Sequence, residues 1–546
     1  MHADTLPRLF HVQAERFGPR VALRYRRHGL FHDVRWDEYR DHVTACAAAL
    51  IQHGIQPGDR VAILAENSVP WMVADMAILS IGAVNVPLHA PLSAPQAQWQ
   101  LDHAGAKWVF VSNQGQYDKI LETQRDLPGL NGVVRFDDVP SDGVLTWRGF
   151  LQRGRAARAS LHAELARRLT GLNADTLATI IYTSGTTGNP KGVMLSEGNL
   201  LSNALAFREV SLFSTESVFL NWLPFSHIYA RTVDIYVTLA VGATLCLADS
   251  ADTVVPALIE IQPNNMSGVP RFYEKVLAAV QDPSLDVMHK KLRGIFGPRV
   301  DFLGSGGAPL PLGIAQAYQR AGLLLLQGYG LTESSPVISF NRKDAYKLES
   351  VGRPIPGVEV KIADDGEVLT RGPHVMQGYW RNATETARTV IDGWLHTGDL
   401  GRLDEEGYLH ITGRKKELLV LSNGKKLIPS QIEGRILADA CFDQVVVVGE
   451  GRNFLTALVV PHWANLASAM GTSGSPDALA RDPKVRAFLE ERIAQILQTV
   501  PPWEQVRKIV VLAQPFSVAS EELTVSLKLR RGVIAEHHRD AIEALY

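Results

Sequence analysis

A polar loop from Tyr182 to Gly192 carries the clearest chemical signal in the sequence. It reads YTSGTTGNPKG, and apolar residues flank it on both sides. Small residues let backbone N–H groups approach an anion closely, and the hydroxyl groups can donate to phosphate oxygens. Lys191 adds a positive charge. The spacing GxxxxGK[ST] of a Walker A loop is absent, so the loop predicts phosphate binding of another kind.

Further motifs follow this loop along the chain in a fixed order. They are GYGLTESSP (328–336), GWLHTGDLG (393–401), GRKKE (413–417) and LTVSLKLRR (523–531). Together with the loop, they resemble the ordered motifs of the adenylate-forming superfamily, which includes acyl-CoA synthetases, luciferases and nonribosomal peptide adenylation domains. The resemblance spans nearly the whole chain and is strongest to long-chain fatty acyl-CoA synthetases.

The resemblance implies a site for ATP and Mg²⁺. Tyr329 would pack on the adenine, and Thr332 would meet the α-phosphate. Glu333 would hold Mg²⁺, a hard cation that prefers oxygen ligands, and Asp399 would bind the ribose hydroxyls. The other implied contacts to the nucleotide are Thr183, Ser184, Gly185, Thr186, Thr187, Gly188, Gly307, Ala308, Gly330 and Arg414.

Two lysines complete the implied catalytic set. Lys191 belongs to the phosphate loop, and Lys528 would reach the acyl carboxylate and the α-phosphate during adenylation. Val525 and Ser526 replace the proline and threonine that are common in the last motif, which puts the rigidity of that loop in question. Glu197 stands where relatives commonly carry a basic residue.

The resemblance also implies two half-reactions at one carbonyl group. A smaller domain would rotate about a hinge at Lys416 between them, and Gly424 would then approach the pantetheine arm of CoA. The acyl pocket would be lined by His227, Trp222 and Tyr229. Aromatic residues in such a segment would equally suit a core helix.

Short apolar runs alternate with amphipathic segments through the first four hundred residues. Residues 36–54 have helical spacing and end on a glycine. This alternation predicts an α/β fold, with a large N-terminal domain (residues 1–412) of mainly parallel sheets flanked by helices. Residues 413–546 are predicted to form a small, mobile α+β C-terminal domain. The predicted buried strands include RVAILAE (60–66), KWVFVSN (107–113), ATLCLAD (243–249) and GLLLLQGYG (322–330).

Composition narrows the class of protein further. Lysine plus arginine (55) nearly balance aspartate plus glutamate (57) in 546 residues, so no nucleic-acid footprint is evident. Three widely spaced cysteines argue against disulfides or a thiolate metal site. No secretory signal is visible, and the most apolar stretch is interrupted by Asp75 and Asn85. We therefore expect a cytoplasmic protein, with peripheral membrane contact left open.

The predicted function is ATP-dependent activation of a carboxylic acid to acyl-AMP with release of pyrophosphate, followed by transfer to CoA. The predicted acid is a medium- or long-chain fatty acid. A fatty acyl-AMP ligase serving a separate acyl carrier protein, or an aryl or other carboxylate–CoA ligase, is the alternative. A phosphotransferase is disfavoured by the missing Walker A loop, and an inactive homologue by the retention of Lys191, Glu333, Asp399, Arg414 and Lys528 together. The native acid and the oligomeric state stay open.

Overall fold

The computed structural model describes residues 3–140, 143–183, 190–280, 282, 284–517, 519–523 and 529–546. Helices and strands mix throughout, as the sequence predicts for the fold class. The strands are β1 (Val21–Arg27), β2 (Leu30–Arg35), β3 (Arg60–Leu64), β4 (Val84–Leu88), β5 (Ala106–Val111), β6 (Gly132–Arg135), β7 (Leu145–Thr146), β8 (Leu177–Thr183), β9 (Lys191–Ser196), β10 (Val218–Asn221), β11 (Thr244–Leu247), β12 (Asn265–Gly268), β13 (Leu303–Ser305), β14 (Leu325–Gly330), β15 (Val337–Phe340), β16 (Arg353–Pro354), β17 (Glu359–Ile362), β18 (Glu367–Arg371), β19 (Gly378–Tyr379), β20 (Val390–Ile391), β21 (Trp394–Leu403), β22 (Leu409–Arg414), β23 (Leu419–Val420), β24 (Lys426–Leu427), β25 (Phe442–Val448), β26 (Leu455–Pro461) and β27 (Val506–Val511).

The helices cover the faces of the sheets. They are α1 (Leu6–Phe17), α2 (Trp36–Gln52), α3 (Val69–Ser80), α4 (Ala94–Ala104), α5 (Gln114–Thr123), α6 (Trp147–Ala157), α7 (His162–Gly171), α8 (Glu197–Ser211), α9 (Ile228–Ala230), α10 (Val237–Val241), α11 (Val254–Ile261), α12 (Pro270–Val280), α13 (Leu285–Phe296), α14 (Leu312–Arg320), α15 (Ala383–Thr389), α16 (Pro429–Leu437), α17 (Trp463–Met470), α18 (Pro476–Ala480), α19 (Pro483–Ile496), α20 (Arg531–His537) and α21 (Arg539–Glu543). A π-helical turn, Arg231–Tyr236, joins α9 to α10.

Two large sheets form the body of the molecule. The first has the strand order β16-β15-β14-β13-β12-β10-β11-β1-β2, and the second has the order β19-β9-β8-β4-β3-β5-β6-β7. The central pairs of both sheets are parallel, and antiparallel pairs lie at their edges. Helices cover such sheets on both faces, which explains why the predicted strands are continuous apolar runs rather than alternating ones.

A further sheet was not anticipated from the sequence. Its strands β17, β18, β21 and β20 are antiparallel, and β22 pairs with β21. Their mixed polar and apolar residues are typical of strands with one solvated face, and such alternation is a weaker signal than a continuous apolar run. This sheet matters because β21 carries Asp399 and β22 ends at Arg414.

The region that follows β22 is built differently. It contains the hairpin β23–β24 and the sheet β25-β26-β27, which helices α16 to α21 accompany. The domain boundary predicted at Gly413 falls inside β22, one residue before Arg414 and just before the turn Lys415–Glu417. The division into two domains stays a prediction.

The polar interruptions in the most apolar stretch of the sequence belong to a buried network. Asp75 on α3 pairs with Arg231, and both side chains are fully buried. Asp75 also accepts hydrogen bonds from the Asn85 amide (2.6 Å) and the Tyr236 hydroxyl (2.9 Å). A buried charge needs such partners, so the network fixes how the α3 layer meets the π-helical turn. No helix among the described residues is long and apolar enough to cross a membrane.

A buried carboxyl group marks the start of α8. Glu197 is 1% exposed, and its Oε2 accepts the backbone N–H of Leu6 at 3.0 Å, which ties helix α1 to α8. Burial raises the pKa of Glu197 to about 8 from its ordinary value of 4.5. The group that departs from the family pattern is therefore a structural link between two helices rather than a solvated surface charge.

Replacing Glu197 by glutamine should remove the loss of stability that the wild type shows as the pH rises from about 5 to about 8. The folded state holds the proton of Glu197 more tightly than the unfolded state. The contribution of Glu197 to the free energy of unfolding is therefore fully present below about pH 4.5 and is lost as the pH rises through about 8. Glutamine keeps an oxygen that can accept the Leu6 N–H but does not ionise. We expect Glu197→Gln to gain on the order of a few kcal/mol over the wild type between pH 5 and pH 8.

Thermal unfolding across this pH range measures the effect. The exposed Glu122 provides the matched control, since Glu122→Gln should leave the pH dependence unchanged. A difference in Tm between Glu197→Gln and the wild type that stays constant from pH 5 to pH 8 would contradict the account.

Candidate active site

A cavity of about 1140 Å³ opens at the carboxyl ends of strands β8, β12, β13 and β14. In open α/β sheets this is where ligands bind. Residues from the large sheets, from β21 and β22, and from the C-terminal region all contribute to its walls. The predicted site residues that line it are Thr183, Lys191, His227, Tyr229, Gly307, Tyr329, Gly330, Thr332, Glu333, Arg414 and Lys416.

Other predicted site residues lie elsewhere. Ala308 is exposed and does not line the cavity, and Gly424 lies in the turn between β23 and β24. Trp222 also lies outside the cavity lining, because its indole N–H donates to the Ser267 carbonyl (2.9 Å) and its ring packs on Phe272. The predicted residues Ser184, Gly185, Thr186, Thr187, Gly188 and Lys528 lie outside the described residues.

The predicted residue Asp399 does not itself line the cavity, but its buried carboxylate binds two residues that do. Asp399 is 5% exposed, and it accepts the Tyr329 hydroxyl (2.6 Å) on one oxygen and the Arg414 Nε–H (2.6 Å) on the other. Burial and the neighbouring carboxylate raise the pKa of the Tyr329 hydroxyl well above its ordinary value, so it stays a donor. Three of the motifs separated in sequence thus meet through two hydrogen bonds.

The strand that carries Asp399 is held by its own neighbours. The Thr397 hydroxyl accepts the Asp399 N–H (3.1 Å) and donates to the Val368 carbonyl (2.7 Å). Glu367 on β18 accepts the Gly398 N–H at 2.9 Å and also binds Lys415. Because Gly398 has φ +70, the turn favours glycine at this position.

The turn after β14 places two further predicted residues at the cavity. Thr332 and Glu333 form a short 3₁₀ segment with Ser334, whose hydroxyl donates to the Pro336 carbonyl at 2.6 Å. Gly330 is required sterically, since a Cβ there would lie 1.8 Å from that same carbonyl oxygen. Any larger residue would displace the turn and the Glu333 carboxylate with it.

A polar chain connects Glu333 to the phosphate-loop lysine. The Tyr379 hydroxyl donates to Glu333 Oε1 at 2.8 Å, and the Lys191 ammonium lies 5.2 Å from the centre of the Tyr379 ring. Lys191 also forms an ion pair with Glu385 on α15. Lys416 faces the same region, where burial and the Arg414 charge lower its pKa. Cationic groups therefore gather next to the phosphate loop, as binding of polyphosphate requires.

The donor set suits a divalent cation that is shared with a substrate. Glu333 lines the cavity, and its Oε1 accepts the Tyr379 hydroxyl. Within the described ranges, no group of three His, Cys, Asp or Glu residues could hold a metal ion. Mg²⁺ is commonly bound by one or two carboxylates together with substrate phosphates, so Glu333 fits that role.

A group of apolar side chains forms another part of the cavity wall, where Phe340 and Val337 of β15 pair with Gly328 and Gly330 of β14. Tyr229 closes over the end of β13, since a Cβ on Gly306 would lie 2.9 Å from its ring. Phe207 of α8 faces this part of the cavity from the other side, and His227 lies just before Tyr229. The apolar residues that line this part also include Val233 and Phe302.

The C-terminal region closes over the cavity. Residues on both sides of the stretch 524–528 line it, namely Glu521, Leu523, Leu529 and Arg530. Leu523 and Leu529 form an antiparallel bridge. The residues that flank the predicted catalytic lysine therefore lie at the cavity.

Several cavity residues were missed by the sequence analysis. Tyr379 and Glu367 line the cavity, and Tyr379 bonds to the predicted residue Glu333, 46 positions away along the chain. Glu385 lies behind the wall and pairs with the predicted residue Lys191, 194 positions away. His89 lines the cavity at the end of β4. A histidine directly after an apolar strand was the signal available, but nothing local distinguishes it from a capping residue.

The fold and the cavity define a nucleotide-binding enzyme with a separately built C-terminal region. The sequence matches the AMP-binding enzyme family over residues 10–380 and the C-terminal domain of AMP-binding enzymes over residues 416–546. The chain belongs to this family, as the resemblance of its motifs predicts.

Relatives of similar length extend the comparison. The long-chain-fatty-acid–CoA ligase FadD15 of Mycobacterium bovis is 33% identical over 95% of this chain and 93% of its own length. The human long-chain-fatty-acid–CoA ligase ACSBG2 is 27% identical over 99% of this chain and 92% of its own length.

Solved structures share the fold across the whole chain. ATP-bound MatB from Rhodopseudomonas palustris is 25% identical with a TM-score of 0.78, and the match covers 98% of this chain and 99% of that chain. The anthranilate–CoA ligase AuaEII, solved with anthranoyl-AMP, is 18% identical with a TM-score of 0.81, covering 99% of this chain and 98% of that chain. At 18% identity, the second comparison bears on the fold alone.

Replacing Asp399 by asparagine should weaken the use of ATP. The carboxylate accepts from both Tyr329 and Arg414, and loss of a hydrogen bond to a charged group costs about 1.5–3 kcal/mol. We expect the KM for ATP to rise at least about tenfold in Asp399→Asn. Asp364→Asn, at an exposed position near β18, is the matched control. An unchanged KM in Asp399→Asn would contradict a role for this cluster in nucleotide binding.

Proposed function

We propose that this protein joins a carboxylic acid, a medium- or long-chain fatty acid, to CoA in two steps driven by ATP. The carboxylate first attacks the α-phosphorus, which expels pyrophosphate and leaves acyl-AMP. A thiol then attacks the acyl carbonyl and releases AMP. The observation that carries this proposal is a single cavity whose wall holds both Tyr329 and Arg414, which bind the buried Asp399, and a group of apolar side chains.

The first step depends on holding two anions together. Lys191 and Arg414 line the cavity on the polyphosphate side and can offset the repulsion between carboxylate and phosphate. Mg²⁺ bound at Glu333 would supply further neutralisation of the phosphate charge. Positioning of this kind can account for much of the rate, because the bound reactants have already lost the translational and rotational entropy that a bimolecular encounter costs.

The apolar part of the cavity wall supports a fatty substrate. The lining residues Phe207, Phe302 and Phe340 provide apolar contact, and each methylene group buried there contributes about 0.8 kcal/mol. The relatives named as long-chain-fatty-acid–CoA ligases support the same class of acid. The geometry does not favour a second class of acid, and a separate carrier protein as acceptor would leave acyl-AMP to accumulate in the presence of CoA.

The second step, attack by the thiol, requires different protein groups around the acyl carbonyl than the first step does. We infer that residues 413–546 form a domain that turns about Lys416, which withdraws Lys528 and brings the Gly424 turn towards the thiol. Lys416 lines the cavity in the short turn that follows β22, a position that supports a hinge there. Leu523 and Leu529, on either side of the stretch that contains Lys528, line the cavity, and this supports a role for that stretch in the first step.

Replacing Lys528 by methionine should separate the two half-reactions. Adenylation should fall by at least about a hundredfold, because the lysine neutralises charge that develops in that transition state. Transfer from added acyl-AMP to CoA should stay within about threefold of the wild type. Mass spectrometry of acyl-AMP, AMP and acyl-CoA measures both steps.

The exposed Lys343 gives the matched control, since Lys343→Met should affect neither step. Equal loss of both half-reactions in Lys528→Met would contradict the assigned role. Formation of ADP instead of AMP by the wild type would overturn the proposed function. Accumulation of acyl-AMP with CoA left unused would point to a carrier protein as acceptor.

Enlarging Gly304 should shorten the accepted acyl chain. Gly304 lines the cavity, and a Cβ there would lie 3.8 Å from its nearest neighbour, the Tyr229 hydroxyl. The further carbons of Gly304→Leu must therefore enter the cavity. We expect activity with palmitate to fall at least about tenfold while activity with hexanoate is retained.

A ladder of acids from butyrate to oleate measures this profile. Gly313→Leu, on the exposed surface of α14, is the control for the substitution itself. An equal loss at every chain length would contradict the position of the acyl group.

A further inference from the structure

Two histidines of the cavity wall, His89 and His227, have ring nitrogens that take no part in the steps proposed so far. The rings of His89 and His227 stack with their centres 6.4 Å apart and their planes 28° apart. Both residues line the cavity. His227 precedes Tyr229, whose ring packs on Gly306, so the pair lies near the end of strand β13 in the cavity wall.

The hydrogen bonds of the two rings indicate which nitrogen of each neutral ring carries the proton. Nδ1 of His227 accepts the Tyr229 N–H at 3.2 Å, so the neutral ring carries its proton on Nε2 and acts there as a donor. Nδ1 of His89 lies 2.7 Å from the Ser226 hydroxyl oxygen. When Nδ1 of His89 donates to that oxygen, its Nε2 is an acceptor. None of the described residues forms a hydrogen bond with Nε2 of His89.

His89 also adjoins a third part of the cavity wall, which meets the start of the phosphate loop where the Trp99 ring contacts the Tyr182 ring. This third part is lined by residues that directly follow His89 and by the first turns of helix α4, including Pro91, Leu92, Gln96 and Trp99. An approach along this part of the wall would suit the narrow arm of a thiol substrate, which must reach the acyl carbonyl without displacing the acyl chain or the nucleotide. His89 lies between this part of the wall and His227.

We propose that His89 is a catalytic residue of the thioester step, in which its Nε2 takes the proton of the attacking thiol. The inference rests on the proposed function. The thiol S–H bond breaks as the proton moves to Nε2, and the sulfur electron pair forms the C–S bond. The C–O bond to phosphate then breaks, AMP leaves with that electron pair, and the imidazolium returns its proton to solvent.

The surroundings keep His89 in the form that this step needs. Burial lowers the pKa of His89, so the ring is neutral near pH 7 and can accept a proton. The titratable groups that face it are few: His227 stacks on its ring, and Lys119 donates to the carbonyl of the next residue, Ala90 (2.7 Å). Glu66 lies near Lys119 and offsets its charge.

A pH profile separates this role from a structural one. Single-turnover transfer from preformed acyl-AMP to CoA is measured from pH 6.5 to pH 9.5 in the wild type, in His89→Gln and in His89→Asn. We expect both variants to lose about a hundredfold in rate at pH 7. The loss should shrink to less than about fivefold at pH 9.5, because a thiol with a pKa near 8.5 is then ionised without a base.

The controls keep the outcomes distinct. Pyrophosphate exchange does not use the thiol and reports whether each variant folds, and His32→Gln at an exposed position should match the wild type throughout. No loss at pH 7, or the same fold-loss at every pH, would overturn the assignment of His89. Failure of the wild type itself to form acyl-CoA would instead overturn the proposed function.

Discussion

The buried Asp399 carboxylate is the interaction on which the rest of the site depends. Its two oxygens take the Tyr329 hydroxyl from one sheet and the Arg414 guanidinium from the strand that leads into the C-terminal region. A buried carboxylate is costly without such partners. The same contacts that satisfy it therefore fix the Tyr329 side of the cavity wall relative to the last strand before the proposed hinge.

A second constraint is chemical. One carbonyl group must first be activated by a phosphate and then be attacked by a thiol, so groups that suit the first partner must not block the second. Different kinds of residue line different parts of the cavity wall. Lys191, a group of aromatic residues and His89 all line the cavity, and we propose that they serve the phosphates, the acyl chain and the thiol respectively. The proposed movement of the C-terminal region would then change which groups face the carbonyl.

The sequence predicts the parts of this arrangement that have local signatures. Continuous apolar runs mark β3, β5, β11 and β14, and the ordered motifs bring Tyr329, Glu333 and Arg414 to one cavity. Contacts between distant segments leave no such mark. The Tyr379–Glu333 and Lys191–Glu385 pairs join residues that are 46 and 194 positions apart, and only the folded chain reveals them. Aromatic character likewise predicted Trp222 as pocket lining, whereas its indole is tied to the Ser267 carbonyl.

The central claim, that a carboxylate oxygen attacks the α-phosphorus, is tested most directly by tracing that oxygen. The wild type is supplied with MgATP, CoA and a fatty acid labelled with ¹⁸O in both carboxylate positions. The masses of AMP and acyl-CoA are then measured by mass spectrometry. The account predicts AMP that carries one ¹⁸O atom and acyl-CoA that keeps the other. Unlabelled AMP, or label in inorganic phosphate together with ADP, would contradict it.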